Sequence, residues 1–192
     1  MNLNPNPFPQ NAASSAPLIR RMVEEDIEPM EAAFAAYGIR KPAVYLRRCW
    51  DENQSASRTT LLAFVGDQFA GSLHLLAQSD YPFFADQRIP EINDFNVIPP
   101  YRRQGVGNTL MEAIEALAFQ EHGTVGIGVG LYASYGNAQR MYARRGYIPD
   151  GRGITYENRL VEPGSQVPVD DELVLYMTKA RAPKNSDRDS SK

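Results

Sequence analysis

Cysteine and histidine are scarce: Cys49 is the single cysteine, and His74 and His122 are the two histidines, in a chain of 192 residues. One cysteine cannot close an internal disulfide or build a thiolate cluster. Neither histidine has a partner histidine or carboxylate at a metal-ligand spacing, so no metal is expected. Long apolar runs are missing as well, and none approaches the roughly 20 residues that cross a bilayer. The opening stretch, "MNLNPNPFPQNAASSAP", lacks the basic segment and apolar core of a secretory signal. Charge of one sign is also lacking. The formal net charge is −3, from 23 acidic and 20 basic residues, and the arginines are scattered apart from short pairs, which disfavours a nucleic-acid surface. These absences lead to the expectation of a cytoplasmic protein in a reducing setting, with neither membrane nor nucleic acid as partner.

What is present suffices for one core, since 43% of the residues are hydrophobic and the length is that of one ordinary domain. Residues 1–16 are rich in Asn, Pro and Ser, and residues 181–192 hold no apolar side chain large enough to anchor them. Both are expected to be disordered tails around one domain at 17–180, without internal repeats. "PLIRRM" reads as a strand, and Ile27, Met30, Phe34 and Tyr37 recur at helical spacing until Gly38. A second helix is predicted near "PAVYLRRCW", where Cys49 and Trp50 read as core. Gly66-Asp67 between two apolar runs predicts a hairpin. "EINDFNV" is short enough for a strand, after which Val106, Leu110, Ile114 and Leu117 form one helical stripe. "TVGIGVGLY" reads as the next strand, Ala138, Met141, Tyr142 and Arg145 as a helix face, and "ELVLYMTK" as a late strand. The predicted order is β-α-α-β-β-β-α-β-α-β-β, a three-layer α/β domain.

One corner, "VIPPYRRQGVGNTL", combines charge with bare backbone. The first turn of a helix leaves N–H groups without partners and carries about half a positive charge, so an anion is its natural guest. Gly105 and Gly107 remove side chains that would hold a ligand off, and Arg102 and Arg103 add charge that a phosphate can use. A pyrophosphate cradle and a plain helix start fit these residues about equally. Two other nucleotide motifs are excluded: Leu110 stands where a third glycine would complete a dinucleotide fingerprint, and no Gly-Lys-Ser/Thr forms a P-loop.

Here the chain resembles the GNAT superfamily of acetyl-coenzyme A-dependent N-acetyltransferases. Val97-Ile98-Pro99 followed by Arg102-Arg103-Gln104-Gly105-Val106-Gly107 matches one signature of that family, and Tyr142-Ala143-Arg144-Arg145-Gly146-Tyr147 matches a second. The resemblance covers about Pro17 to Lys179. It implies a GNAT-like α/β/α fold whose mixed, mostly antiparallel sheet is splayed between strands 4 and 5, with acetyl-CoA as co-substrate. It further implies that the amides of Arg103, Gln104, Gly105, Val106, Gly107 and Asn108 hold the pyrophosphate, with Arg102 beside them, and that the backbone of Phe95, Asn96 and Val97 pairs with pantetheine.

In that frame Tyr142 is the expected acid for the departing thiolate, because a phenol pKa near 10 is close to that of a thiol. Polyamine-acetylating relatives carry Glu-Asp where this chain has Asn93-Asp94, and Asn93 cannot accept a proton at neutral pH. Glu91 shares Asn93's face of an extended strand and is the candidate base, with a solvated strand end as the plain alternative; Asp94 is expected on the other face. Tyr135 stands where many relatives have a pantetheine-binding asparagine, and is read as a cofactor contact. Asn137, two residues on, either takes over that contact or caps a helix. The Gly126-x-Gly128-x-Gly130 alternation predicts a close neighbour on one strand face, pantetheine being a secondary candidate. Residues 149–171 form a long hairpin or a surface loop, and Tyr37, Tyr156 and the acidic residues nearby are expected to shape an acceptor pocket.

The expected activity is direct acetyl transfer to a primary amine on a small molecule or peptide, without an acyl-enzyme intermediate and without a metal. A catalytically idle acyl-CoA-binding sensor or interaction module is the alternative, and a purely structural interaction domain would have no affinity for coenzyme A. A homodimer is the default assembly for such a fold.

Overall fold

One eight-stranded sheet organises the chain, in the order β1-β2-β3-β4-β5-β8-β6-β7. The computed structural model describes residues 16–183. The tails expected at 1–16 and 181–192 therefore lie outside the described residues, apart from 16 and 181–183.

The strands are β1 (Leu18–Arg21), β2 (Arg58–Val65), β3 (Gln68–Leu76), β4 (Glu91–Val97), β5 (Thr124–Gly130), β6 (Ile148–Tyr156), β7 (Arg159–Leu160) and β8 (Leu173–Ala180). The helices are α1 (Ile27–Ala35), α2 (Ala43–Gln54), α3 (Pro82–Gln87), α4 (Val106–Glu121) and α5 (Gly136–Arg144). Every neighbouring pair is antiparallel except β4 and β5, which run parallel. The fold is the expected mixed α/β one. Among the described residues no helix is long and apolar enough to cross a membrane.

Period-two alternation distributes β2 between two cores. Leu61 and Ala63 pack with Val106, Leu110, Met111 and Ile114 of α4, while Leu62 faces Met30 and Phe34 of α1 and Leu46 of α2. The sheet thus has α4 and α5 on one side and α1 and α2 on the other. Tyr37, predicted on the α1 stripe, lies beyond the helix end in the turn toward Gly38 and is 41% exposed. Glu115 of α4 accepts both Arg145 Nε (2.9 Å) and a terminal nitrogen of the same guanidinium (2.7 Å), and also Lys179 Nζ of β8 (2.8 Å). That buried carboxylate fixes α5 and β8 to α4.

Two local features differ from the sequence reading. Helix α3, a six-residue turn of helix, was absent from the predicted order; it is anchored by the fully buried Phe84. The 149–171 segment is a hairpin followed by a loop: β6 and β7 meet at Glu157 and Asn158, both with left-handed φ (49° and 62°), and no regular strand follows until β8.

The irregularity that matters most is in β4. Register with β3 runs His74↔Asn93 and Ser72↔Asn96, so Asp94 and Phe95 together oppose one residue of β3. Asp94 sits at φ 48°, as an extra residue in a bulge does. The bulge resets the parity of the strand. Ile92, Phe95 and Val97 pack on the α4 side, while Asp94 joins His74 and the α2 residue Tyr45 on the other. Glu91 and Asn93 share that second face, being linked to each other and opposite Leu76 and His74. The expectation that Asp94 points away from Glu91 and Asn93 is therefore overturned, because the bulge places two successive side chains on one face.

Candidate active site

β4 and β5 are joined at Glu91↔Gly126 and Ile92↔Ile127 and at no later pair. Beyond Ile92 the two strands diverge, and the β5-facing backbone of Asn93, Asp94, Phe95, Asn96 and Val97 meets no strand. The splay expected between strands 4 and 5 is present. A cavity of about 990 Å³ occupies it. Its wall on the α4 and α5 side includes Arg103, Gly105, Gly107, Asn137, Met141 and Tyr142, and on the opposite side Lys41, Glu91, Asn93, Asp94, Asp171 and Tyr176. The opening runs through the sheet from one face to the other.

At one end lies the junction of β4 with α4. After Val97 the chain turns through Pro99–Tyr101, takes left-handed φ at Arg103 (62°) and Gly105 (86°), and enters the helix at Val106. Among the described residues the amides of Arg103, Gln104, Gly105, Val106, Gly107 and Asn108 donate to no backbone or side-chain acceptor, whereas Thr109 N already bonds Gly105 O (3.0 Å). Six unpaired donors in and just before the first turn of a helix suit an anion chemically. Gly107 is held close to β4: a Cβ there would lie 3.1 Å from Phe95 Cζ. The side chains of Arg102 and Gln104 also take part in shaping the turn. Arg102 Nε bonds Val97 O (2.9 Å) and Gln104 Nε2 bonds Pro100 O (2.6 Å), so both brace the turn from within, and Arg103 remains exposed.

Across the gap, α5 presents Tyr142, 4% exposed, with its hydroxyl lacking a partner among the described residues. Burial holds this phenol well above its ordinary pKa, so it is protonated at neutral pH. Tyr135 packs its ring over Gly130, where a Cβ would come within 2.5 Å, and donates to Asp171 (2.9 Å). Asn137 accepts from Arg140 (3.0 Å). The close neighbours of the glycine alternation are side chains: Phe84 lies against Gly126, Val174 and Tyr176 against Gly128, and Tyr135 against Gly130.

On the other face Glu91 is 5% exposed. It accepts Ser79 Oγ–H at Oε2 and Asn93 Nδ2–H at Oε1 (3.2 Å), so the alternative of a solvated strand end is excluded. Burial pushes its pKa up, against the lowering from these two donors, and nearby Asp80 adds to the rise. Asp94 is the opposite case. It accepts from Lys41 Nζ, Tyr45 OH (2.5 Å) and Asn96 Nδ2 (2.9 Å) and lies 3.2 Å from His74 Nε2. Burial would raise its pKa, but its hydrogen bonds and the Lys41 charge carry it well below the ordinary carboxylate range. His74 bonds Thr60 through Nδ1 (2.8 Å), and complete burial lowers its pKa, so it is neutral at pH 7. Of the residues expected to shape an acceptor pocket, Tyr37 and Tyr156 are absent from the lining, while Asp171 and Glu172 are in it. Ser79, Lys41 and Tyr176 had no sequence signal, because each reaches the site from a segment distant from both motifs.

The model of the acetyltransferase (GNAT) family matches residues 20–147. The chain belongs to this family. As a GNAT protein it is an N-acetyltransferase that uses acetyl-CoA. A comparison with curated proteins returns no significant match. Among solved structures the fold is similar to that of the PaiA N-acetyltransferase from Thermoplasma acidophilum in complex with coenzyme A, at 15% identity and a TM-score of 0.59, over 87% of this chain and 100% of that one. It is also similar to a chimera of the spermidine N-acetyltransferase SpeG from Vibrio cholerae with hSSAT (14%, TM-score 0.63, 86% of this chain and 96% of that one). A ribosomal-protein-alanine N-acetyltransferase from Brucella melitensis matches at 16% with a TM-score of 0.61, over 85% of this chain and 99% of that one. At these identities the likeness is one of fold.

Proposed function

We propose that this GNAT enzyme transfers the acetyl group of acetyl-CoA directly to a primary amine, and that the two substrates meet from opposite faces of the sheet. The observation that carries the reading is the passage through the β4–β5 split, which has an anion cradle on one face and a buried carboxylate on the other. The unpaired amides of residues 103–108 suit the pyrophosphate, with Arg103 adding charge. The free backbone of Phe95, Asn96 and Val97 suits the amide groups of pantetheine, with Tyr135 and Asn137 along the opposite wall. The acceptor enters between Lys41, Asp171 and Tyr176.

In this reading Glu91 takes a proton from the acceptor ammonium, directly or through water, and the free amine attacks the thioester carbonyl. The C–N bond forms first, giving a tetrahedral oxyanion that unpaired β4 amides steady. As it collapses the C–S bond breaks, Tyr142 gives its proton to the departing sulfur, and the proton still on the new amide nitrogen passes through water to the Tyr142 phenolate, restoring the acid. The burial of Glu91 favours this role, since a carboxylate with a raised pKa is a better proton acceptor. The fold is shared with a spermidine acetyltransferase and a ribosomal-protein acetyltransferase, so small-molecule and peptide amines are both acceptor classes to assay.

The test is release of free coenzyme A thiol from acetyl-CoA with a panel of diamines, amino acids and short peptides. Amine-dependent release is expected, with Tyr142→Phe and Glu91→Gln each lowering turnover about 10²-fold while coenzyme A affinity stays within a factor of two. Binding of coenzyme A without thiol release from any amine would mark an idle acyl-CoA-binding module, and no binding by calorimetry a purely structural domain.

A further inference from the structure

Ser79 belongs to neither family motif, yet it touches the carboxylate on which the proposed chemistry turns. It lies between β3 and α3, is 3% exposed, and its Oγ accepts the Tyr81 N–H (3.0 Å). With that N–H bound to an Oγ lone pair, the single hydroxyl proton is directed at Glu91 Oε2. Asn93 occupies Oε1. Each oxygen of Glu91 therefore has one fixed donor and keeps a lone pair free.

The turn carrying Ser79 is itself held. Tyr81 stacks on Tyr176 at 3.9 Å with rings 2° from parallel, and its hydroxyl donates to Asp150 (2.9 Å). The groups around Glu91 offer no compensating positive charge. Asp80 acts on Glu91 as a nearby negative charge, the phenols of Tyr81 and Tyr176 are held protonated by burial, and His74, the β3 register partner of Asn93, is neutral. Asp94 is an anion already matched by Lys41. No cation pairs with Glu91 among the described residues, so hydrogen bonds alone support its charged form.

We propose that Ser79 is the positioning residue of the base: it aims the Glu91 carboxylate into the cavity and holds it in the form that accepts a proton. This rests on Glu91 being the base. Without the hydroxyl, Oε2 of this buried side chain would lose its one fixed donor, and the charged form would become harder to reach.

The test is a titration of Glu91 in the full-length protein carrying side-chain carboxyl ¹³C-labelled glutamate, followed by NMR, with Glu91→Gln assigning the resonance. Ser79→Ala and Ser79→Gly are each expected to move the Glu91 midpoint to higher pH, and Ser79→Thr, which keeps a hydroxyl, to return it to the parent value. With an amine that turns over, the acid limb of kcat/KM should move by the same interval, costing about tenfold per unit on the acid side of the limb, while KM for acetyl-CoA is unchanged. A midpoint in both folded variants equal to that of the parent overturns the assignment. The titration needs no acceptor, so it decides the part played by Ser79 separately from the acetyl-transfer reading.

Discussion

Two residues carry opposite electrostatic loads within one strand. Burial raises the pKa of Glu91, so the folded chain holds that proton more tightly than the unfolded chain does. Stability therefore falls as pH rises from the ordinary glutamate range through the folded-state pKa. Replacing Glu91 with glutamine keeps acceptor and donor sites but removes the charge. The expected outcome is a melting temperature higher than the parent's by about 2–4 °C at pH 8, with the difference shrinking toward pH 4, checked by calorimetry at both values. A variant that loses activity while gaining stability fits a carboxylate kept for chemistry. A lower melting temperature at pH 8 would mean that Glu91 is primarily a structural anchor. Parts of this site were legible in the residues themselves: Gly105, Gly107 and Tyr142 stand in spaced motifs, and Glu91 was reached by counting back along the strand. Ser79 and Lys41 were not legible, since loops distant in sequence bring them in by tertiary contact.

At the scale of the element, the bulge in β4 is the feature that alternation could not foresee. Counting by two assigns Asp94 to the α4 side, and one extra residue reverses every later assignment. Its position is fixed by tertiary partners, Lys41, Tyr45 and His74, which belong to other elements. Helix α3 was hidden for a similar reason: six residues are too few to show a helical period, and a single buried ring fixes them. The long helix and the Gly66-Asp67 hairpin, by contrast, followed from periodicity and turn chemistry. Asp94→Asn tests the bulge with little backbone penalty, because asparagine tolerates left-handed φ. It removes the anion facing Lys41 and is expected to cost about 2–3 kcal/mol at pH 7 by urea unfolding. The folded-state pKa of Asp94 is depressed, so its contribution is fully present above the ordinary aspartate range and fades as pH falls below it. The difference between parent and variant should accordingly narrow below about pH 4. A constant difference across that range would assign the loss to packing instead of charge.

At the scale of the whole molecule, function follows from a sheet that is closed at one end of a strand pair and open at the other. Two register pairs hold β4 to β5, and the divergence beyond them creates both the cavity and the unpaired backbone that lines it. The same divergence leaves the N-terminus of α4 facing the opening with its donors unused. A ligand that fills those donors binds the folded chain alone and should raise the melting temperature with its concentration. Titration of coenzyme A into the parent protein and into Gly107→Glu, with circular dichroism verifying the fold of each, is the most direct measurement. The glutamate would project from the first turn of α4 beside Phe95 and set a negative charge at the cradle. One-to-one binding by the parent and at least a tenfold loss in the variant is expected. Equal affinity in the two proteins, or no binding by the parent, would contradict a diphosphate held at this junction.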